Sequence, residues 1–188
     1  MSDFCDDSVG RSAEINRIVE SHGGPVLYGS SSGGYESGFL ILEACRCYRL
    51  GLDLACILCA HACCERELAG ILEWQLPVTP NAERWGLGRL IRAGRKRGWL
   101  DTGLAGKLEK FNENRRTLYH LQDFFAPTGL WRRATSNAGN PATKDDVARA
   151  VPGTLRQEAL DGLDCAFAVR TIDVEREWAA PLAIDAER

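Results

Sequence analysis

Arg115 and His120 stand five positions apart in Phe111-Asn112-Glu113-Asn114-Arg115-Arg116-Thr117-Leu118-Tyr119-His120, inside a basic stretch of the chain. A histidine takes up and returns a proton near neutral pH. An arginine is a permanent planar cation whose fork of donors fits phosphate oxygens. Cutting RNA without a metal requires those two chemistries together.

The element that carries the pair must be a helix. Leu104, Leu108, Phe111, Arg115 and Leu118 recur at spacings of four, three, four and three, the mark of an amphipathic stripe. Arg115 therefore occupies a position that the pattern reserves for an apolar side chain. An unpaired buried guanidinium is costly, so this one must face a partner, an anion or a water-filled seam. His120 lies about 140° round an ideal helix from Arg115, on the face of Glu109, Glu113 and Arg116. The two side chains do not converge in one regular helix. Either the helix is distorted near its end, or a second copy completes the site across a two-fold axis. A plainer reading stays open, in which Arg115 pairs with an internal carboxylate and His120 caps the helix C-terminus.

With 188 residues, 45% of them apolar, the chain is long enough for one domain with a full core. No apolar run approaches the ~20 residues needed to span a bilayer, so no membrane partner is expected. The N-terminus, Met1-Ser2-Asp3-Phe4-Cys5-Asp6-Asp7, is acidic and lacks a hydrophobic signal core. A cytoplasmic location with reduced thiols is expected. The net charge of −3 conceals an asymmetry: residues 84–133 hold 12 Lys/Arg against 4 Asp/Glu, and the remainder 11 against 22. A short charge run is usually a solvated helical face, but such a division of sign also suits a polyanion-binding surface. Arg95, Lys96, Arg97, Lys107, Lys110 and Arg116 are its candidate RNA-binding cations.

The pattern throughout is helical. A short helix is expected over residues 12–19, then a flexible Gly/Ser loop at 29–34. Two long apolar helices follow at 35–49 and 52–74, separated by Gly51; both are too long for strands. Asn81 is a plausible cap for a third main helix, which runs to a stop at Gly98. Asp101 or Thr102 caps the fourth, which bears Arg115. Thr143 with Asp145 and Asp146 opens a short helix, and a separate last one runs from Leu160 to about Trp178. The expected fold is all-α, a bundle of four to five main helices with short peripheral ones. Residues 1–34 form an N-terminal helix and loop, 35–180 the helical domain, and 181–188 a tail.

The segment Arg115-Arg116-Thr117-Leu118-Tyr119-His120 resembles the R-x4–6-H motif of HEPN domains. The leucine-spaced run from Leu104 into Arg115, preceded by two long apolar helices and a Gly-Trp-Leu turn, is similar to the context of that motif. The resemblance implies a helical bundle that dimerises with both motifs facing one cleft. It further implies a metal-independent endoribonuclease without a cofactor, a toxin or anti-phage defence effector held in check by an antitoxin or regulatory protein. Arg115 would bind and polarise the scissile phosphate, and His120 would act as general acid or base. Attack by the ribose 2′-OH would leave a 2′,3′-cyclic phosphate and a free 5′-OH, with Arg115 and Arg116 countering the charge that develops. The residue after the motif arginine is often Asn in the family; here it is Arg116, and Asn112 or Asn114 would supply the polar contact to RNA. In the subgroup paired with nucleotidyltransferase antitoxins, a tyrosine two residues after the histidine is modified. Gln122 stands there, so that mode of control is not expected. The alternative function is a non-catalytic module that binds nucleic acid or a partner protein through the basic face.

Other residue clusters have plainer explanations. Cys56, Cys59, His61, Cys63 and Cys64 are dense, but Cys56 and Cys63 are separated by roughly 10 Å of helical rise, and zinc ligands meet at ~2.3 Å from one ion. No metal site is expected; the cysteines read as small buried hydrophobes. The Gly29–Gly34 loop lacks the Gly-Lys-Ser/Thr ending of a phosphate loop. His22 reads as a surface residue at a helix end. Trp85, Trp99 and Trp131 could stack on bases, but packing is the simpler role.

Overall fold

A computed structural model describes residues 7–24, 32–75, 82–119, 129–138 and 143–172. These residues form α1 (Ser8–Ser21), α2 (Gly34–Arg49), α3 (Asp53–Gln75), α4 (Leu87–Arg97), α5 (Thr102–Tyr119), α6 (Leu130–Ala138) and α7 (Lys144–Arg170). The described residues contain no strand, so the fold is all-α. None of their helices is long and apolar enough to cross a membrane. His120 and Gln122 lie outside the described residues, as do Asn81 and the first half of the Gly/Ser loop.

Helix α3 is the axis of the bundle and packs against α2, α4, α5 and α7. Its Cys56, Ile57, Ala60, Cys63, Cys64, Leu68, Ile71 and Leu72 are all buried. The two long apolar segments of the sequence are α2 and α3, and Gly51 between them adopts φ +75°, a left-handed turn that favours glycine. Gly98 closes α4 in the same way, at φ +82°. Asp101 then caps α5, its carboxylate accepting the N–H groups of Gly103 at 2.7 Å and Leu104 at 2.9 Å.

Several elements differ from the sequence expectation: α1 runs over Ser8–Ser21 rather than 12–19, and α6 occupies Leu130–Ala138, where no helix is expected. Helix α4 begins at Leu87, after a 3-10 turn at Ala82–Arg84, because the Glu65 carboxylate accepts the Leu87 N–H at 2.9 Å and anchors the helix there. The two expected C-terminal helices are one, α7, which runs through Pro152. A capping box between Thr143 and Asp146 starts it. The buried positions Val147, Thr154, Glu158, Gly162, Cys165 and Val169 stay in helical phase across the Pro152-Gly153 pair. Pro152 itself is exposed, so tertiary packing overrides a local break that would otherwise end the helix.

Because α3 is enclosed, its polar residues must be satisfied internally. Glu67 and Arg170 pair at 2.7 Å with side chains only 1% exposed. Ser37 on α2 joins both, and the other Glu67 oxygen accepts the Gly33 N–H at 2.8 Å. Gly70 allows the Ser32 carbonyl against α3, where a Cβ would lie 2.0 Å from that oxygen. The end of the Gly/Ser loop is thus clamped to α3, and the Gly33 N–H serves a carboxylate rather than a ligand. Further along the bundle, the Phe111 ring of α5 seats against Gly162 of α7; a Cβ there would come within 2.7 Å of the ring. That seat sets the rotation of α5 and hence the direction of its neighbouring Asn112 and Arg115.

Removing one member of the buried ion pair strands the other charge. Arg170→Met is expected to cost about 3–5 kcal/mol, read as a lowered denaturation midpoint, and Glu67→Leu added to it should restore part of the loss.

Candidate functional site

Helix α5 carries Arg115, and its side chains divide between two faces. Asn112 and Arg115, one turn apart, belong to the side turned toward α3. Lys107, Lys110 and Asn114 line a cavity of about 280 Å³ against α7, together with Asp161 and Asp164. Arg116 is exposed and pairs with Glu113 at 3.3 Å.

On the α3 side, His61 is 2% exposed and its Nε2 lies 3.1 Å from Asn112 Oδ1. Nε2 is the donor in the tautomer that pairs it with the amide oxygen. Its Nδ1 is 3.6 Å from Glu65 Oε2, and its ring is tilted against Phe111 at 5.9 Å. Glu65 lies one turn along α3, and its other oxygen holds the start of α4. Burial is the largest influence on His61 and pushes the imidazole below its ordinary value. The hydrogen bond with Asn112 and the Glu65 carboxylate oppose that shift, and Arg115 adds to it. Arg115 itself is half-buried, consistent with its place in the apolar stripe. Beyond it, Thr117 accepts a hydrogen bond from Arg133 Nη1 at 2.8 Å, while Arg133 grips the buried Glu158 through Nε and Nη2. The last described turn of α5 is thereby tied to α6 and α7.

The cations of the basic half divide into two groups: those of α5 are partly ion-paired, whereas Arg92, Lys96 and Arg97 of α4 are exposed. Lys107 bonds to Asp164 at 2.8 Å, Lys110 approaches Asp161 at 3.9 Å, and Arg95 bonds to Glu109 at 2.9 Å. The acidic residues of α7 lie over the cations of α5. His22, expected to be a bystander, shares Asp164 at 2.8 Å. Burial would raise the Asp164 carboxyl, but hydrogen bonds from Lys107 and His22 outweigh it and bring it below its usual value. These exposed pairs are individually weak, and a polyanion can displace them. Lys96 and Arg97 are exposed at the end of α4, where their charge also suits the helix dipole.

Most cysteines are core atoms. Burial pushes Cys45 up to about 11 and both Cys63 and Cys165 up to about 12, values that keep them as unreactive thiols. Among the described residues no group of His, Cys, Asp and Glu could hold a metal ion. Trp99 is buried, whereas the Arg89 guanidinium lies over Trp85 at 3.6 Å from the ring centre.

Sequence reasoning weighed His61 only as a metal ligand and passed over Glu65 and Arg92. A histidine and a glutamate one turn apart in an otherwise apolar helix were the available signal. Their partner on α5 was not legible, because it depends on how Phe111 seats that helix. Comparisons with protein-family models, with curated proteins and with solved structures find no match.

The lowered His61 affinity for protons has a sign that can be measured. As pH falls below the ordinary histidine value of 6.5, the unfolded chain binds more protons than the folded one. His61 therefore contributes stability that is full above about pH 6.5 and is lost as pH falls through its folded value. We expect His61→Gln to flatten the fall in stability between about pH 7 and pH 5, read from denaturant unfolding of both proteins at each pH.

Proposed function

We propose that this protein is a metal-independent endoribonuclease of the HEPN type, acting in the cytoplasm as a toxin or anti-phage effector under the control of an antitoxin or regulatory protein. The observation that carries this reading is the R-x4-H spacing in the sequence, with Arg115 half-buried in the apolar stripe of α5 beside Asn112. A guanidinium held against a helix interface keeps its charge and loses little freedom when it meets a phosphate.

In the proposed reaction the ribose 2′-oxygen gives its proton to a neutral His120 and attacks the adjacent phosphorus. The P–O5′ bond breaks, and the departing 5′-oxygen takes a proton from a second, protonated His120. Two histidines in opposite protonation states are what a two-fold dimer provides, and this explains why one helix is half of a site. Arg115 counters the negative charge on the phosphorane, with Arg116 and the amides of Asn112 and Asn114 as further contacts to RNA. Lys107, Lys110, Arg95, Lys96 and Arg97 steer the polyanion.

Wild-type protein in EDTA should cleave single-stranded RNA to cyclic-phosphate and 5′-OH ends, and Arg115→Ala and His120→Ala should each be inactive. Binding without cleavage by wild type would point instead to a non-catalytic module. Mixing wild type with an excess of His120→Ala, with subunit exchange demonstrated, should lower activity below that of the wild type alone, because a mixed dimer holds only one of the two histidines that the reaction uses. Undiminished activity of the wild-type subunits in that mixture would exclude a site shared between copies.

A further inference from the structure

Gly88, in the first turn of α4, faces Asn112: a methyl group at position 88 would sit 3.3 Å from Asn112 Nδ2 and 3.7 Å from Arg92 Nη1. Two hydrogen-bond donors from different helices thus converge over a residue with no side chain. They are no more than about 7 Å apart, a span that two phosphate oxygens bridge with hydrogen bonds of ~2.8 Å. Gly88 and Asn112 are half-exposed and Arg92 is exposed, so the notch is reached from solvent. The direction of the amide is not accidental. His61, buried behind it, holds Asn112 Oδ1 and so turns the Nδ2 donors outward.

We propose that Asn112 and Arg92, converging over Gly88, form a phosphodiester subsite for RNA, and that His61 is the positioning residue that orients the Asn112 amide in it. This rests on the ribonuclease reading for its ligand. Asn112 lies one helical turn from Arg115 on the same side of α5, so a strand seated at the notch runs on to the motif arginine. Neither Arg92 nor Gly88 belongs to the R-x4-H pattern; the subsite would hold a phosphate next to the one that is cut.

Short single-stranded 2′-O-methyl RNA, which cannot supply the attacking hydroxyl, serves as the binding probe, followed by fluorescence anisotropy over a range of salt. Gly88→Glu puts a carboxylate into the notch and should weaken binding about tenfold, with a salt slope shallower by about one phosphate. Gly106→Glu adds the same charge on α5 where a Cβ meets nothing within 4 Å, and should bind as wild type. Arg92→Gln, an exposed change that leaves the fold alone, should weaken binding in the same direction. His61→Gln keeps a donor for Asn112 and should bind better than His61→Phe, at equal helicity by circular dichroism.

Wild-type affinity in both Gly88→Glu and Arg92→Gln would overturn the subsite. Equal affinity in His61→Gln and His61→Phe would overturn the positioning role. Cleavage of unmodified RNA separates this inference from the reading beneath it. Weakened binding in the notch variants with no cleavage by wild type keeps the subsite and removes the nuclease. Cleavage that Gly88→Glu and Arg92→Gln leave unchanged keeps the nuclease and removes the subsite.

Discussion

Helix α3 is buried along most of its length, and that enclosure is the constraint from which the other features follow. A helix in this position has to be apolar nearly all round, and each polar group on it must find a partner inside the protein. Glu67 finds Arg170, Ser37 and the Gly33 N–H. His61 finds Asn112, and Glu65 finds the first N–H of α4. These few interactions join α3 to the other four elements that matter most: α2, α4, α5 and α7. A buried polar contact tolerates only one arrangement of its partners, so it specifies geometry as well as contributing energy.

The candidate site lies on the boundary of that interior. Phe111 seats α5 against Gly162, and the next residue in the chain, Asn112, is thereby delivered to His61. Arg115 follows one turn later. The same rotation sends Lys107 and Lys110 to the other side, where Asp161 and Asp164 of α7 meet them. One packing decision therefore sorts the polar residues of α5 into an interior-supported set and a solvated, ion-paired set.

Much of this was legible in the residues alone, for identifiable reasons. The apolar runs of α2 and α3, the stops at Gly51 and Gly98 and the cap at Asp101 are local signals, and local physics decides them. The displaced Arg115 was visible as a break in a regular stripe. Other features depended on partners distant in sequence. Pro152-Gly153 reads as a break until α7 is seen packed on α3 and α6. His61 reads as a stray histidine among cysteines until Asn112, far along the chain, is placed beside it. The sign asymmetry was visible in sequence, but only the fold brings Asp161 and Asp164 of α7 onto Lys107 and Lys110 of α5.

The central claim is that the seam between α3, α4 and α5, supported from within by His61, is where an RNA phosphate binds. A crystal structure of the protein with a short 2′-O-methyl RNA tests it most directly. The account requires a phosphate within hydrogen-bonding distance of Asn112 Nδ2 or the Arg115 guanidinium, with His61 still bonded to Asn112. RNA lying along the α5–α7 face, with no phosphate at Asn112 or Arg115, would contradict it.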